Sequence, residues 1–195
     1  MIYSDRIRFR AVEREDLPAF LKWFNDPEVK KGLGIYLPLS KVDEEDWFEG
    51  VRKRPPDERN LVIEARVPIE IDVLPGERAN QPDTNPDEAA WKIIGGCGFF
   101  NLDSCNRSSE FGITIGDKHY WNQGYGTEAV RLLVKHGFNT LNLNRIYLRV
   151  LDNNPRAIRA YEKAGFTHEG RRRQAEYKDG QYLDLLVMSI LKDEF

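Results

Sequence analysis

The residues of this chain best suited to chemistry are two glycines, placed where a strand-like run gives way to a helical one. They lie in the segment Asn122-Gln123-Gly124-Tyr125-Gly126-Thr127-Glu128-Ala129. Residues 111–115 before it are strand-like, and residues 127–138 carry apolar side chains at helical spacing. Glycine allows a tight turn and a close approach to a ligand, and the first turn of a helix presents free N–H groups at its positive end. The pattern predicts an anion site suited to a phosphate or pyrophosphate, and therefore a cofactor that carries one.

Taken alone, residues 124–129 also match the dinucleotide pattern G-x-G-x-x-[GA]. Asp152, at the end of the next strand, resembles the acid that binds a ribose in such sites. Against this, residues 116–122 separate the glycines from the strand, and about 70 residues remain after them, too few for a doubly wound sheet. The preceding strands also form hairpins, and no Gly-Lys-Ser/Thr follows to make a P-loop. A tight strand-to-helix turn without a ligand is the plain alternative.

Composition limits the class of protein. The 195 residues fit one domain, 41% of them are hydrophobic, and the net charge of −3 gives no footprint for nucleic acid. No apolar run reaches the roughly 20 residues that span a bilayer, and the N-terminus lacks the apolar core of a signal peptide. Cys97 and Cys105 are too few for a disulfide framework or a zinc site. We expect a cytoplasmic protein without a metal, in which Cys97, within an apolar run, packs in the core rather than acting as a nucleophile.

Periodicity and turn signals divide the chain into alternating elements. Strands are expected over residues 6–10, 61–67, 93–101, 107–115, 145–150, 166–178 and 182–191. Helices are expected from residue 17 with Asp16 as N-cap, over 43–51, over 127–138, and from Asn154-Pro155 to a stop at Gly165. The order predicts one domain over residues 1–195 with an α/β (α+β) architecture, a mixed and mostly antiparallel sheet flanked by helices.

Residues 68–90 differ from the rest of the chain. They hold four prolines and several acids, with few large apolar residues in their later part. They are expected to be an insertion between two strands. Its role is either that of a tolerated surface loop or that of a lip over the substrate site.

Two motifs together resemble a known family. The first is the segment 121–129, and the second is the segment 154–166, Asn-Pro-Arg-Ala-Ile-Arg-Ala-Tyr-Glu-Lys-Ala-Gly-Phe. In this order and at this spacing they are similar to the Gcn5-related N-acetyltransferases, and more narrowly to the branch of the ribosomal-protein N-terminal acetyltransferases. The closing segment, 179–191, is also typical of that branch. The resemblance covers nearly the whole chain apart from 68–90, and it implies the acyl-CoA N-acyltransferase fold with acetyl-CoA as cosubstrate.

The resemblance also implies roles for single residues. The pyrophosphate of acetyl-CoA would lie on the backbone amides of Gln123, Gly124, Tyr125, Gly126 and Thr127. The pantetheine arm would pair with the strand residues Ile113, Thr114 and Ile115. Asn154 matches a polar residue near the cofactor, and Tyr161 matches the candidate general acid.

The reaction sets its own requirements. An amine that attacks a thioester must lose a proton, and the leaving thiolate benefits from gaining one. A primary alkylamine has a pKa near 10, so a base must lie within reach, directly or through water. Glu110 is the candidate base because it alternates with Phe111 and Ile113 and lies on the other face of their strand. A backbone N–H of the same strand could stabilise the oxyanion. The alternatives are an ordinary solvated carboxylate for Glu110 and core packing for Tyr161.

These observations predict an N-acetyltransferase that transfers the acetyl group of acetyl-CoA to a primary amine by direct attack. The acceptor is either a protein N-terminus or a small amine such as a polyamine or an aminoglycoside. Neither nucleic acid nor membrane is an expected partner, and a homodimer is a candidate assembly because the fold often dimerises. Two alternatives stay open, a noncatalytic acyl-CoA-binding module and a nicotinamide-dependent oxidoreductase.

Overall fold

A computed structural model describes residues 1–67 and 90–195, which form eight strands and five α-helices. The strands are β1 (Ile2–Tyr3), β2 (Ile7–Ala11), β3 (Leu61–Val67), β4 (Ala90–Asp103), β5 (Ser108–Ile115), β6 (Arg145–Leu151), β7 (Thr167–Lys178) and β8 (Gln181–Leu191). The helices are α1 (Leu17–Asn25), α2 (Pro27–Lys30), α3 (Lys41–Arg52), α4 (Tyr125–Asn139) and α5 (Pro155–Lys163). The predicted insertion at 68–90 lies outside the described residues except for Ala90, which begins β4.

The strands form a single sheet in the order β1-β2-β3-β4-β5-β6-β8-β7. Neighbours are antiparallel except for β5 and β6, which run parallel and are joined by the crossover helix α4. Their parallel register is short, from Ser108 opposite Arg145 to Glu110 opposite Tyr147. The predicted mixed, mostly antiparallel sheet flanked by helices is confirmed, and its only parallel pair among the described strands lies at the predicted glycine turn.

One face of the sheet carries α4, α5 and the main core. Leu133 and Phe138 of α4 are buried there. Gly137, near the C-terminal end of that helix, is glycine for a packing reason. A Cβ at this position would lie 2.7 Å from Cδ1 of Ile146 and 2.8 Å from the ring of Phe99. The C-terminal part of the helix therefore approaches β4 and β6 closely.

The other face carries α1, α2 and α3 and leaves a groove over its glycines. Gly96, Gly98 and Gly112 share this face, because Gly96 pairs with Thr114 and Gly98 pairs with Gly112. The ring of Phe20 on α1 lies 3.1 Å from where a Cβ at Gly96 would be. Because these strand positions lack side chains, aromatic rings can pack close to the strands, and a groove is left open over the glycines.

Two local predictions need correction. Asp16 occupies the N-cap position of α1, as predicted, but its side chain makes no capping bond to that helix. Its carboxylate instead accepts the N–H of Glu13 at 2.8 Å and two hydrogen bonds from Arg10 at 2.7 Å. The helix predicted over 43–51 is α3, and it is longer than predicted because Ser40 and Asp43 form a capping box before its first turn. The short helix α2, capped by Asp26, was not predicted.

None of the helices that the structure describes is long and apolar enough to cross a membrane.

Candidate active site

The glycine turn ends in a helix whose first N–H groups have no side-chain cap. Gly124, at the N-cap of α4, has a φ of +85°, a conformation that glycine adopts without strain. The first N–H bonded within this turn is that of Glu128, which donates to the carbonyl oxygen of Gly124 at 3.0 Å. No side chain among the described residues bonds to the preceding amides of the turn. The start of α4 thus offers several N–H donors and the positive end of a 15-residue helix to an anion.

Gly126 leaves this turn open on its ligand side. A Cβ there would meet only Cγ1 of Ile115, at an ordinary contact distance of 3.8 Å. The protein's own packing therefore does not require glycine at this position. Instead, glycine at this position leaves space for a group that binds at the turn.

A cavity of about 630 Å³ connects the turn with β5, β6, α5 and the loop after α2. Nine predicted site residues line it, namely Glu110, Ile113, Thr114, Ile115, Gly124, Gly126, Thr127, Asn154 and Tyr161. Gln123 and Tyr125 do not line it. Both contact Arg6 instead, on the other side of the turn. The structure thus brings the two sequence motifs and the candidate base to a single groove.

The groove exists because β5 and β6 diverge after Glu110. Nε1 of Trp121 donates to the carbonyl oxygen of Ile115 at 2.7 Å, so this carbonyl points away from β4. Strand alternation then directs the N–H and C=O of Ile113 to the cavity and those of Thr114 to Gly96 on β4. Ile113 can pair with an extended ligand through its backbone, whereas Thr114 can reach the cavity only with its side chain.

Glu110 is buried, at 4% exposure, and is hydrogen-bonded by a cation. Its Oε1 accepts from Nε of Arg149 at 2.6 Å, and its Oε2 accepts from Nη2 of Arg149 at 3.2 Å and from Nδ2 of Asn101 at 3.1 Å. The hydrogen bond to Glu110 raises the pKa of the Arg149 guanidinium. Sequence reasoning missed this partner, although Arg149 stands on the polar face of β6 with Arg145 and Tyr147. The base role of Glu110 stays a prediction.

Tyr161 lies on α5 among aromatic rings at the wall of the cavity. Its ring meets Phe111 edge-on, with centroids 5.9 Å apart, and Phe166 at 6.1 Å. Burial raises the pKa of the Tyr161 hydroxyl to about 12. The hydroxyl therefore keeps its proton at neutral pH, as a proton donor must.

The start of α5 is fixed as the sequence predicts. Oδ1 of Asn154 accepts the N–H of Ala157 at 3.2 Å, and Pro155 occupies the first helical position. The Nδ2 of Asn154 lies 2.6 Å from where a Cβ at Gly32 would be. The N-cap prediction is confirmed, and the cofactor role of Asn154 stays a prediction.

A cation that sequence reasoning missed also lines the cavity. The guanidinium carbon of Arg156 lies 3.3 Å from the ring centroid of Trp121. Burial lowers the pKa of Arg156, while the charge of Glu28 acts to raise it. Two contacts thus hold Trp121 in place, Arg156 on the face of its ring and the Ile115 carbonyl at its Nε1. The feature of the sequence that could have indicated this contact is Trp121, the aromatic residue at the beginning of the glycine turn.

The loop after α2 is fastened over the groove by the β7–β8 hairpin. Nζ of Lys178 donates to the carbonyl oxygens of Lys30, at 2.6 Å, and of Leu33. The hydroxyl of Tyr36 donates to the carboxylate of Glu176, which also lines the cavity. These partners are 140 to 148 residues apart in the chain, so no local pattern could reveal them.

Cys97 is buried in the main core, as predicted. Burial raises the pKa of its thiol well above the ordinary range, so a thiolate nucleophile is disfavoured there. Cys105 is exposed.

Comparisons with known proteins agree on one family. The protein-family model described as an acetyltransferase (GNAT) domain matches residues 6–167 of this chain. An uncharacterized N-acetyltransferase from Bacillus licheniformis is 31% identical over 195 residues, covering 100% of this chain and 97% of the relative. A spermidine N(1)-acetyltransferase from Vibrio cholerae is 31% identical over 192 residues, covering 98% and 96%. A putative ribosomal N-acetyltransferase from Bacillus subtilis is 34% identical over 127 residues, covering 63% and 69%.

The fold is also found among solved structures. The crystal structure of spermidine N-acetyltransferase from Vibrio cholerae in complex with CoA and spermine matches with a TM-score of 0.78. The match covers 98% of each chain at 24% sequence identity, which shows a shared fold.

Proposed function

This chain belongs to the GNAT acetyltransferase family, and from that premise we propose that it acetylates a primary amine in the cavity between β5, β6 and α4. Acetyl-CoA is its cosubstrate and supplies the acetyl group as an activated thioester. The observation that carries the assignment to this cavity is the uncapped start of α4, which opens on the same groove as the free edge of β5. Membership of this family favours an acetyltransferase over the two alternatives that the sequence left open, an oxidoreductase and a noncatalytic binding module.

The residues at the start of α4 fit the pyrophosphate of the cosubstrate. Its charge would be met by the N–H groups of residues 124–127, with the helix dipole adding to the attraction. Gly126 leaves the room that the phosphates need. The pantetheine arm would follow β5 and pair with the outward backbone groups of Ile113, and Asn154 would lie beside it from α5.

Two side chains are proposed for the proton transfers. Tyr161 would donate a proton to the leaving thiolate, and its buried, protonated hydroxyl suits that role. Glu110 would accept the amine proton, directly or through water. A carboxylate has about four acceptor sites, and Arg149 and Asn101 occupy three of those of Glu110, so one on Oε1 remains for a proton donor.

The acceptor is proposed to be a small polyamine. The support comes from the spermidine acetyltransferase that matches almost the whole chain and from Glu176 in the cavity lining, a carboxylate that could meet a second ammonium group. A protein N-terminal amine is the second candidate. It is supported by the closing segment, 179–191, and by the relative described as a putative ribosomal N-acetyltransferase. The narrower branch, a homodimer and a cytoplasmic location also stay predictions.

Calorimetric titration with acetyl-CoA is the first test, with NADH as the control ligand. We expect micromolar binding of acetyl-CoA and none of NADH. Gly126→Asp, which puts a charge and bulk in the turn, should abolish binding, whereas Gly126→Ala, whose Cβ meets protein atoms only at 3.8 Å, should keep the turn intact and weaken binding much less. No binding of acetyl-CoA by the unaltered protein would contradict the proposal.

An acceptor panel then separates the two amine classes. Release of free CoA is followed with spermidine, with spermine, and with short peptides that have a free or an acetylated N-terminus. Turnover of the free peptide alone would move the N-terminal acceptor to first place. Turnover of the polyamines alone would support the first candidate.

A further inference from the structure

Arg6, at the start of the chain, contacts three residues of the glycine turn at once. Its Nη1 lies 3.4 Å from the carbonyl oxygen of Gln123, and its guanidinium carbon lies 4.5 Å from the ring centroid of Tyr125. Its Nε and Nη2 lie 2.8 Å and 2.6 Å from Oε2 of Glu128. A single side chain from the edge of the sheet thus fastens a turn that lies more than 100 residues further along the chain.

Glu128 anchors this contact from the first turn of α4. Its second oxygen, Oε1, accepts from the hydroxyl of Ser4 at 2.6 Å and from the backbone N–H of Arg6 at 3.3 Å. Burial acts to raise the pKa of Glu128, but the hydrogen bonds from Ser4 and Arg6 outweigh it and hold the pKa below its ordinary value. The carboxylate is therefore charged at neutral pH.

That negative charge would by itself oppose an anion at the start of α4. It stands one residue beyond the amides of residues 124–127 that would receive the pyrophosphate. The guanidinium of Arg6 neutralises it, and Arg6 also lies beside the turn, since Nη2 is 3.5 Å from where a Cβ at Gly124 would be. With 47% of its side chain exposed, Arg6 adds a positive charge at the open end of the helix.

We propose that Arg6 is a positioning residue for the pyrophosphate of the cosubstrate. It holds the turn from Gln123 to Glu128 in shape and cancels the charge of Glu128 beside the anion site. The inference rests on the proposed use of this turn for acetyl-CoA. It assigns Arg6 no contact with the acetyl group or with the amine, so the turnover number and the KM for the amine depend little on it.

The test compares two acetyl donors that differ at the pyrophosphate. S-acetylpantetheine has the thioester and the pantetheine arm but neither the pyrophosphate nor the adenosine. Arg6→Ala should raise the KM for acetyl-CoA about tenfold, as the loss of an exposed ion pair and of a charge at a helix terminus suggests. The KM for S-acetylpantetheine and kcat should change less than about twofold, because neither depends on the turn.

A second substitution separates the two parts of the role. In Arg6→Ala combined with Glu128→Gln no carboxylate is left uncancelled, so the KM for acetyl-CoA should recover about half of the logarithmic loss. Arg6→Lys keeps the charge but loses the guanidinium fork, and it should raise this KM about threefold. If Arg6→Ala does not fold, Arg6→Lys is used for the same comparison of acetyl-CoA with S-acetylpantetheine.

Arg145→Ala is the matched control. It removes an arginine that is paired with a carboxylate, Glu169, at 2.5 Å but lies outside the cavity lining, so neither KM should change. An equal rise in KM for both donors in the Arg6 variants would overturn the inference, because a general loss of structure would explain it. No rise for acetyl-CoA would also overturn it. Failure of the unaltered protein to bind acetyl-CoA would overturn the proposed function together with this inference.

Discussion

Replacing Tyr161 by phenylalanine removes one oxygen atom and leaves the packing of the ring in place. The ring would keep its contacts with Phe111 and Phe166. Among the described residues none exchanges a hydrogen bond with the Tyr161 hydroxyl. The free energy of unfolding at pH 8 should therefore change by less than about 1 kcal/mol. A large fall in activity would then be a chemical effect and not a loss of structure.

The pKa of about 12 gives this residue a second signature at high pH. A tyrosine has an ordinary pKa of about 10, so the folded state holds the proton more tightly than the unfolded chain does. The stability that this difference provides is complete below about pH 10 and is lost as the pH rises through 12. Two pKa units correspond to about 2.7 kcal/mol in total, of which about half is lost at pH 11. Tyr161→Phe has no such proton to lose, so its stability should fall less between pH 9 and pH 11 than that of the unaltered protein.

Two measurements check this reasoning. Release of free CoA gives kcat, which should fall about 100-fold or more in Tyr161→Phe if the hydroxyl is the general acid. The KM for acetyl-CoA should change little. Denaturant unfolding at pH 9 and pH 11 gives the stability difference. An unchanged kcat would remove the acid role, and an equal loss of stability at pH 11 in both proteins would show that the hydroxyl is not held protonated by burial.

Two further predictions concern the base and the packing of α1 against the residue that follows β5. Glu110→Gln keeps the shape of the side chain but cannot take up a proton, so the pH profile of kcat/KM for the amine should change, and an unchanged profile would remove the base role. Gly116→Ala should lower the free energy of unfolding by about 1–3 kcal/mol, because its Cβ would lie 2.2 Å from Cδ2 of the buried Trp23. Gly50→Ala, on α3 with nothing within 4 Å of its Cβ, is the matched control and should be stabilising by up to about 1 kcal/mol in denaturant unfolding. Equal effects of the two alanines would contradict the steric argument.

Local sequence signals predicted most of the elements because each had a physical marker. The start of α5 is marked by Asn154 and Pro155, and its end by Gly165, whose φ is +101°. The last hairpin is marked by Asp179 and Gly180, both of which have a positive φ. Such markers act over a few residues, which is the range over which a sequence can be interpreted directly.

Contacts between distant segments could not be predicted in the same way. The partner of Glu110 is Arg149, and their pairing depends on the register of two parallel strands joined through a helix. Asp16 was predicted to cap α1, but the guanidinium of Arg10 competes for its carboxylate from a neighbouring strand. In both cases an arginine from another element decides the outcome, and one sequence does not reveal which carboxylate it reaches.

The location of the site follows from a single topological feature. In a sheet of antiparallel neighbours, β5 and β6 alone among the described strands are parallel, so a helix must connect the end of β5 to the start of β6. That requirement sets the N-terminus of α4 beside the carboxyl end of β5, at the edge where β5 and β6 separate. An anion site and a free strand edge therefore coincide as a consequence of the connection. The same geometry explains why the glycine pattern resembles that of dinucleotide-binding proteins, since it serves one strand–helix–strand unit here and not a doubly wound sheet.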